Sequence, residues 1–251
     1  MNFKILIITF LRSFFLESLW NYERMQNVGF AFTIIPFLKN LYKDKFKVAE
    51  RIKAHFGFFN THPYLASLLI GITIKKEEEY SKGLIDSQEV IRTKTMLSGP
   101  IAAIGDRLIW STWRVFCGML VLSYLFLYGK NFYLKVNVWF VILFFLIIYN
   151  FVGHLPFRFL GIYFGYHYSK DIIQKLAKFE LQKIVQVIRN IGVIILLISS
   201  FVYSSSLKDI KLIFMFWSNI LLSLFMSRKH AEVVIFYTIA ILNFLILVIL
   251  R

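Results

Sequence analysis

Five apolar runs in the second half of the chain decide what it can fold into. They extend from about Leu108 to Tyr128, Val136 to Leu155, Val187 to Tyr203, Ile210 to Met226 and Val233 to Leu250. Each approaches the ~20 residues that a helix needs to cross a hydrocarbon core ~30 Å thick. A backbone in lipid must satisfy its own polar groups, so such runs read as transmembrane helices. Composition agrees: 58% of the 251 residues are hydrophobic and only 17% charged, far from a soluble domain. The formal net charge of +15 does not point to nucleic acid, because the Lys and Arg side chains lie between apolar runs and form no basic stripe on a polar scaffold. In a membrane protein they mark cytoplasmic loops. Arg158, Lys170, Lys175, Lys178 and Lys183 fall in one such loop, over 158–186, and Arg228 and Lys229 in another. The charge bias predicts a cytoplasmic N-terminus and an external C-terminus.

The apolar runs of the first half are shorter. Residues 1–20 carry Thr9, Ser13 and Glu17 at helical spacing, one polar stripe on a helix otherwise built from Ile, Leu and Phe. That pattern suits an amphipathic helix lying in the interface or against a bundle. A run from Val28 to Leu38 is interrupted by Pro36. Between Phe58 and Glu79 the order is a polar cluster, Asn60-Thr61-His62, then Pro63, then apolar residues to Ile74, then five charges. Proline fits a first helical turn, and the three polar residues before it suit capping. A helix from Pro63 to Ile74 would be ~18 Å long, too short to span. It reads either as a re-entrant or broken half-helix holding polar groups at membrane depth, or as a buried helix with an ordinary cap. Glu77, Glu78 and Glu79 read as a solvated helix end. Gly99, Ala102, Ala103 and Gly105 permit close approach of another backbone. Asp106 then heads an apolar run, where an acid either caps locally or serves function.

The fold expectation is therefore all-α: a polytopic membrane protein with an amphipathic N-terminal helix, re-entrant or broken half-helices in the N-terminal half and about five transmembrane helices in the C-terminal half. One domain over 1–251 suffices, with residues 1–106 as the interfacial part and 107–251 as the helix bundle. The lone Cys117 excludes an intrachain disulfide. The sequence has no HExxH, Walker-type phosphate loop, G-x-S-x-G or Cys/His zinc spacing. No catalytic residue, metal ligand or cofactor is expected.

Three blocks carry a resemblance: SLWNYERMQNVGF (Ser18–Phe30), FFNTHPYLASLLIGITIKKEEE (Phe58–Glu79) and GPIAAIGDRLIW (Gly99–Trp110). In order and spacing they resemble the signature blocks of the IID subunit of mannose/fructose/sorbose-family sugar phosphotransferase systems. The resemblance covers essentially the whole chain. It implies a subunit of the bacterial inner membrane that pairs with a IIC subunit, assembling as a trimer of IIC–IID heterodimers. Together they would bind a hexose outside and pass it inward for phosphorylation by a cytoplasmic IIB protein, itself supplied by IIA. The chain would not be an enzyme by itself. Arg107, where the family has a small residue, and Lys75 and Lys76 ahead of the acidic triplet depart from the pattern. They leave a second reading, a divergent IID-like protein with a structural or regulatory role and no uptake.

Within the blocks, Asn60, Thr61 and His62 offer amide, hydroxyl and imidazole groups that suit sugar hydroxyls, and equally suit capping or contact with the IIC partner. Glu23 and Gln26, three apart, are expected on one helical face. Trp20 offers an aromatic platform or an interfacial anchor. Asp106 is expected to be a buried acid.

Overall fold

The computed structural model describes residues 2–128, 138–169 and 180–207, with four further positions, 210, 213, 217 and 218. The runs expected over Ile210–Met226 and Val233–Leu250 and the surface helix over 172–179 lie outside the described residues, the four single positions apart. The described chain is helical. Its elements are α1 (Phe3–Ser13), α2 (Asn27–Leu41), α3 (Lys45–Ala54), α4 (Ala66–Ser81), α5 (Ser87–Gly105), α6 (Arg114–Tyr128), α7 (Val138–Ile147), α8 (Leu155–His167) and α9 (Leu181–Ser204). Two π-helical stretches, Asp106–Trp113 and Ile148–His154, join α5 to α6 and α7 to α8.

Among the described residues, three helices are long and apolar enough to cross a membrane: Ser87–Tyr128, Trp139–His167 and Leu181–Ser204. The first has 42 residues. At ~1.5 Å per residue it is about twice as long as a hydrocarbon core is thick, so its polar beginning extends beyond one. Pro100 sits inside it. The second continues past Leu155 to His167. Arg158, assigned from its charge to a loop, is instead a buried residue of α8.

The chain forms two compact units, one of residues 1–121 and 137–193, the other of 122–136 and 194–251. In the second, Phe126 and Tyr203 stack with ring centroids 5.2 Å apart. In the first, α4 is central: Leu69, Ile70, Ile72 and Ile74 are wholly buried. Here α8 crosses α4 at backbone contact. A Cβ on Gly71 would collide with the backbone of Ile162, one on Gly161 with Ser67 Oγ, and one on Gly165 with the Leu68 carbonyl. Lipid supplies no hydrophobic drive between helices, so close contact through small residues holds them. Ser67-x-x-x-Gly71 on α4 faces Gly161-x-x-x-Gly165 on α8. Gly105, expected to admit a second backbone, admits the His62 ring instead, and Gly99 faces open space.

The polar stripe of α1 faces inward. Thr9 and Ser13 are buried with Ile5 and Leu6, whereas Phe3, Leu11 and Phe14 are exposed. Asn2 caps the helix, accepting from Lys4 N–H at 3.1 Å. Helix α4 does not begin at Pro63 and does not stop at Ile74. Pro63–Leu65 form a turn, and the helix runs on through the charges to Ser81. At 16 residues it is still shorter than a span.

Candidate functional site

The turn ahead of α4 is held by a residue far away in sequence. Gln26, at the start of α2, grips Thr61 twice. Its Nε2 donates to the Thr61 carbonyl at 2.7 Å, and its Oε1 accepts from the Thr61 N–H at 3.0 Å. The same amide donates to Glu17 Oε1 at 2.5 Å. Thr61 Oγ1 donates to the Ser98 carbonyl at 2.9 Å, tying the turn to α5. Thr61 is thus a structural junction and caps nothing. His62 holds the turn itself: its Nδ1 accepts from Tyr64 N–H at 3.3 Å, and its carbonyl accepts from Ala66 N–H at 2.8 Å.

An Nδ1 that accepts must lack a proton, so in the neutral ring the proton is on Nε2. His62 is 1% exposed, and its Nε2 is a buried atom with no hydrogen-bond partner. Burial, with the charge of Arg158 and then His154 adding to it, pushes this imidazole down to about 4 from its ordinary 6.5. It is a neutral N–H donor with nothing to donate to.

The residue itself borders a cavity of about 460 Å³ lined by Glu17, Trp20, Gln26, Asn60, Thr61, His62, Pro63, Ala102, Asp106 and Trp110. Two carboxylates, two carboxamides, an imidazole and two indoles converge there. Trp110 lies against the His62 ring, centroids 4.8 Å apart. Burial pushes the Glu17 carboxyl upward, opposed by its bond to Gln26 and by Arg158. Five of the six residues singled out from sequence line this cavity.

Two expectations need correction. Asp106 is exposed rather than buried, at the start of the π-helical stretch. Glu23 and Gln26 do not share a helical face. Glu23 lies in a turn that ends at Met25, whose φ is +57°, and its side chain is exposed and paired with Arg24 at 3.0 Å. It borders a separate open depression with Asn21, Arg24 and Lys53. The turn between them redirects Glu23 away from the cavity. Glu17 and Trp110 were legible only as a stripe member and a block residue; their convergence is tertiary.

The far half of α4 carries a second polar group, which sequence reasoning missed. Glu77 is wholly buried. It accepts from Arg51 Nη2 at 2.7 Å, from Tyr42 Oη at 3.0 Å and contacts His55 Nε2 at 2.8 Å. Burial would raise this carboxyl, yet the bonds from His55 and Arg51 hold it at about 2. Burial pushes His55 down, against its bond to Glu77. Lys94 completes the cluster, donating to the His55 carbonyl at 3.3 Å and lying over the Phe30 ring at 4.9 Å. The acidic triplet is therefore no solvated end: Glu78 accepts from Tyr166 Oη at 2.6 Å, and Glu79 pairs with Lys76 at 2.9 Å. Among the described residues no group of His, Cys, Asp and Glu is arranged to hold a metal ion.

Comparison with known proteins adds the following. A family model, the PTS system mannose/fructose/sorbose family IID component, matches residues 2–223. The mannose-specific EIID component of Escherichia coli K12 is 32% identical over 190 residues, 74% of this chain and 63% of that relative. The fructose permease IID component of Bacillus subtilis 168 is 33% identical over 189 residues, 74% of this chain and 65% of that protein. The chain thus spans less than two thirds of the length of either relative. A chain of the mannose transporter ManYZ, solved by cryo-EM in complex with microcin E492, superposes with a TM-score of 0.58 at 30% identity. That match covers 80% of this chain and 70% of that one. The fold is accordingly that of an all-α, multi-pass membrane protein.

Proposed function

The chain belongs to the mannose/fructose/sorbose-family IID components of sugar phosphotransferase systems, and on that premise we propose that it forms, with a IIC subunit, the pathway that binds and translocates a hexose for phosphorylation by a cytoplasmic IIB protein. The observation that carries this reading is the convergence of Glu17, Asp106, Gln26, Asn60, His62, Trp20 and Trp110 on one cavity of about 460 Å³. The lining suits a sugar: carboxylate and amide groups for hydroxyls, and indole faces for the apolar ring surface. Asn60, His62 and Asp106 are read as sugar contacts, and Gln26 and Thr61 as the clamp that holds them. Glu23 is read as a contact for a partner subunit.

The finer architecture follows the same premise. The turn and short α4 act as a re-entrant half-helix, residues 1–106 form the interfacial part, and five spans complete the bundle within a single IID-type domain. The N-terminus is cytoplasmic, the C-terminus external, and the membrane the bacterial inner membrane. The IIC–IID pair assembles as a trimer of heterodimers served by IIA and IIB. The chain itself performs no catalysis.

Co-expression with a IIC partner and measurement of hexose uptake, with IIA and IIB present, tests this. Uptake by the wild-type pair, lost in His62→Ala or Asn60→Ala, is the expected outcome. A stable pair that takes up no hexose would leave only a structural or regulatory role.

A further inference from the structure

Arg158 is a cation inside an apolar helix, and such a residue is kept only where it is paired and used. It is buried and makes no ion pair among the described residues. Its Nη1 donates to the carbonyl of Ser13, at the C-terminal end of α1, and to Ser13 Oγ at 3.2 Å. The negative end of a helix dipole is a favourable place for a cation. Its Nε donates to His154 Nε2 at 3.0 Å.

A guanidinium only donates, so His154 Nε2 must accept and its proton must sit on Nδ1. Nδ1 in turn faces Asn150 Oδ1 at 3.2 Å. The His154 ring stacks on Tyr64, centroids 3.8 Å apart and 14° from parallel. The Arg158 guanidinium lies over the same Tyr64 ring, 5.6 Å from its centroid. Tyr64 supplies the backbone N–H that occupies His62 Nδ1, and its ring meets His62 edge-on at 5.3 Å. Each link fixes the next, from Arg158 through His154 and Tyr64 to His62.

We propose that Arg158 is a positioning residue for the cavity: by fixing His154 beneath Tyr64 it sets the tautomer and the orientation of the His62 ring in the cavity wall. The functional half of this rests on the sugar-site reading; the geometric half does not. Lysine keeps the charge but cannot reach His154 and Ser13 at once, because it lacks the planar fork.

The test uses the IIC–IID pair, in lipid nanodiscs with ¹⁵N-labelled histidine for the tautomers and in sealed vesicles loaded with IIA and IIB for hexose uptake, signals being assigned with His62→Gln and His154→Gln. Wild type is expected to show His154 as the Nδ1–H tautomer and His62 as the Nε2–H tautomer. In Arg158→Lys both signals should move toward tautomer mixtures, and the sugar KM should rise about tenfold, roughly one hydrogen bond, at nearly unchanged Vmax per assembled pair. His154→Gln, which leaves the bond to Ser13 in place, should move the His62 signal in the same way if the lysine variant does not assemble. An unchanged His62 signal and KM in both variants would overturn the proposal, as would less assembled pair with KM unaltered. Tautomer shifts as expected in a pair whose wild type takes up no hexose would keep the positioning role and remove the sugar reading.

Discussion

The two ends of α4 carry polar groups of opposite character. Around Glu77 the carboxylate is fully engaged: it collects Arg51, His55 and Tyr42, and Lys94 sits against the His55 carbonyl. Around His62 the polar groups line a cavity: Gln26 fixes Thr61, while Asn60, His62 and Asp106 border the space. Each set leaves one buried imidazole nitrogen without a partner, His55 Nδ1 and His62 Nε2. The sets lie at opposite ends of one short helix clamped by Gly161 and Gly165 of α8. A buried carboxylate met by several donors holds helices α2 to α5 in place, whereas polar groups that line open space, with their geometry fixed from behind, are what a binding site requires. Access to a cavity therefore separates framework from site better than residue type does, since each set contains a His and a carboxylate.

The contrast is most exposed to failure at Glu77. Glu77→Ala leaves Arg51 buried without its counter-charge and should remove about 3–5 kcal/mol of stability. Thermal denaturation of the purified pair reads this, and a melting point near wild type would mean that the cluster holds nothing. Next comes Gly165→Val, which forces two backbones apart and should destabilise by about 1–3 kcal/mol. His62→Ala should act on affinity as well: a loss of about 1–3 kcal/mol in sugar binding, read on the assembled pair, beside the stability lost with the buried ring. The smallest effect is expected at Glu23→Ala, an exposed pair contributing under about 1 kcal/mol, with sugar affinity unchanged.

Acid should act on both ends, through the histidines first and Glu77 last. His62 has a depressed value of about 4 against 6.5, so its neutral form contributes stability that is full above 6.5 and lost as pH falls toward 4. His55 is depressed too and acts in the same sense. Glu77, at about 2 against 4.5, contributes fully above 4.5 and loses its share as pH falls from there toward 2. A melting-temperature profile should fall in two stages, and Glu77→Gln should abolish the lower one while also changing the share of His55, which loses its bond to that carboxylate.

What the chain discloses without coordinates is the local half of this. Asn60-Thr61-His62 announces a polar segment ahead of a helix, and the helix follows, though it starts at Ala66 and leaves Pro63 in the turn before it. The long apolar runs announce crossing helices, and three are found among the described residues. What stayed hidden is non-local. Gln26 and Thr61 are 35 positions apart, so nothing in either block names the other. Glu77 was taken for a solvated end because five charges in a row look alike, although it falls four residues after the buried Thr73 and shares its face. Its partners Arg51 and His55, also four apart on one helix face, were the available signal. Arg158 was placed in a loop because a charge was read as the end of a span; the Gly161-x-x-x-Gly165 spacing just beyond it was the sign that the helix continued.

Equilibrium titration of hexose against the purified IIC–IID pair, wild type beside His62→Ala, bears most directly on the claim that the cavity cluster is the binding site. The expected result is a dissociation constant at least about tenfold weaker in the assembled variant, the weight of one hydrogen bond. An equal dissociation constant in an assembled, folded variant pair would contradict it.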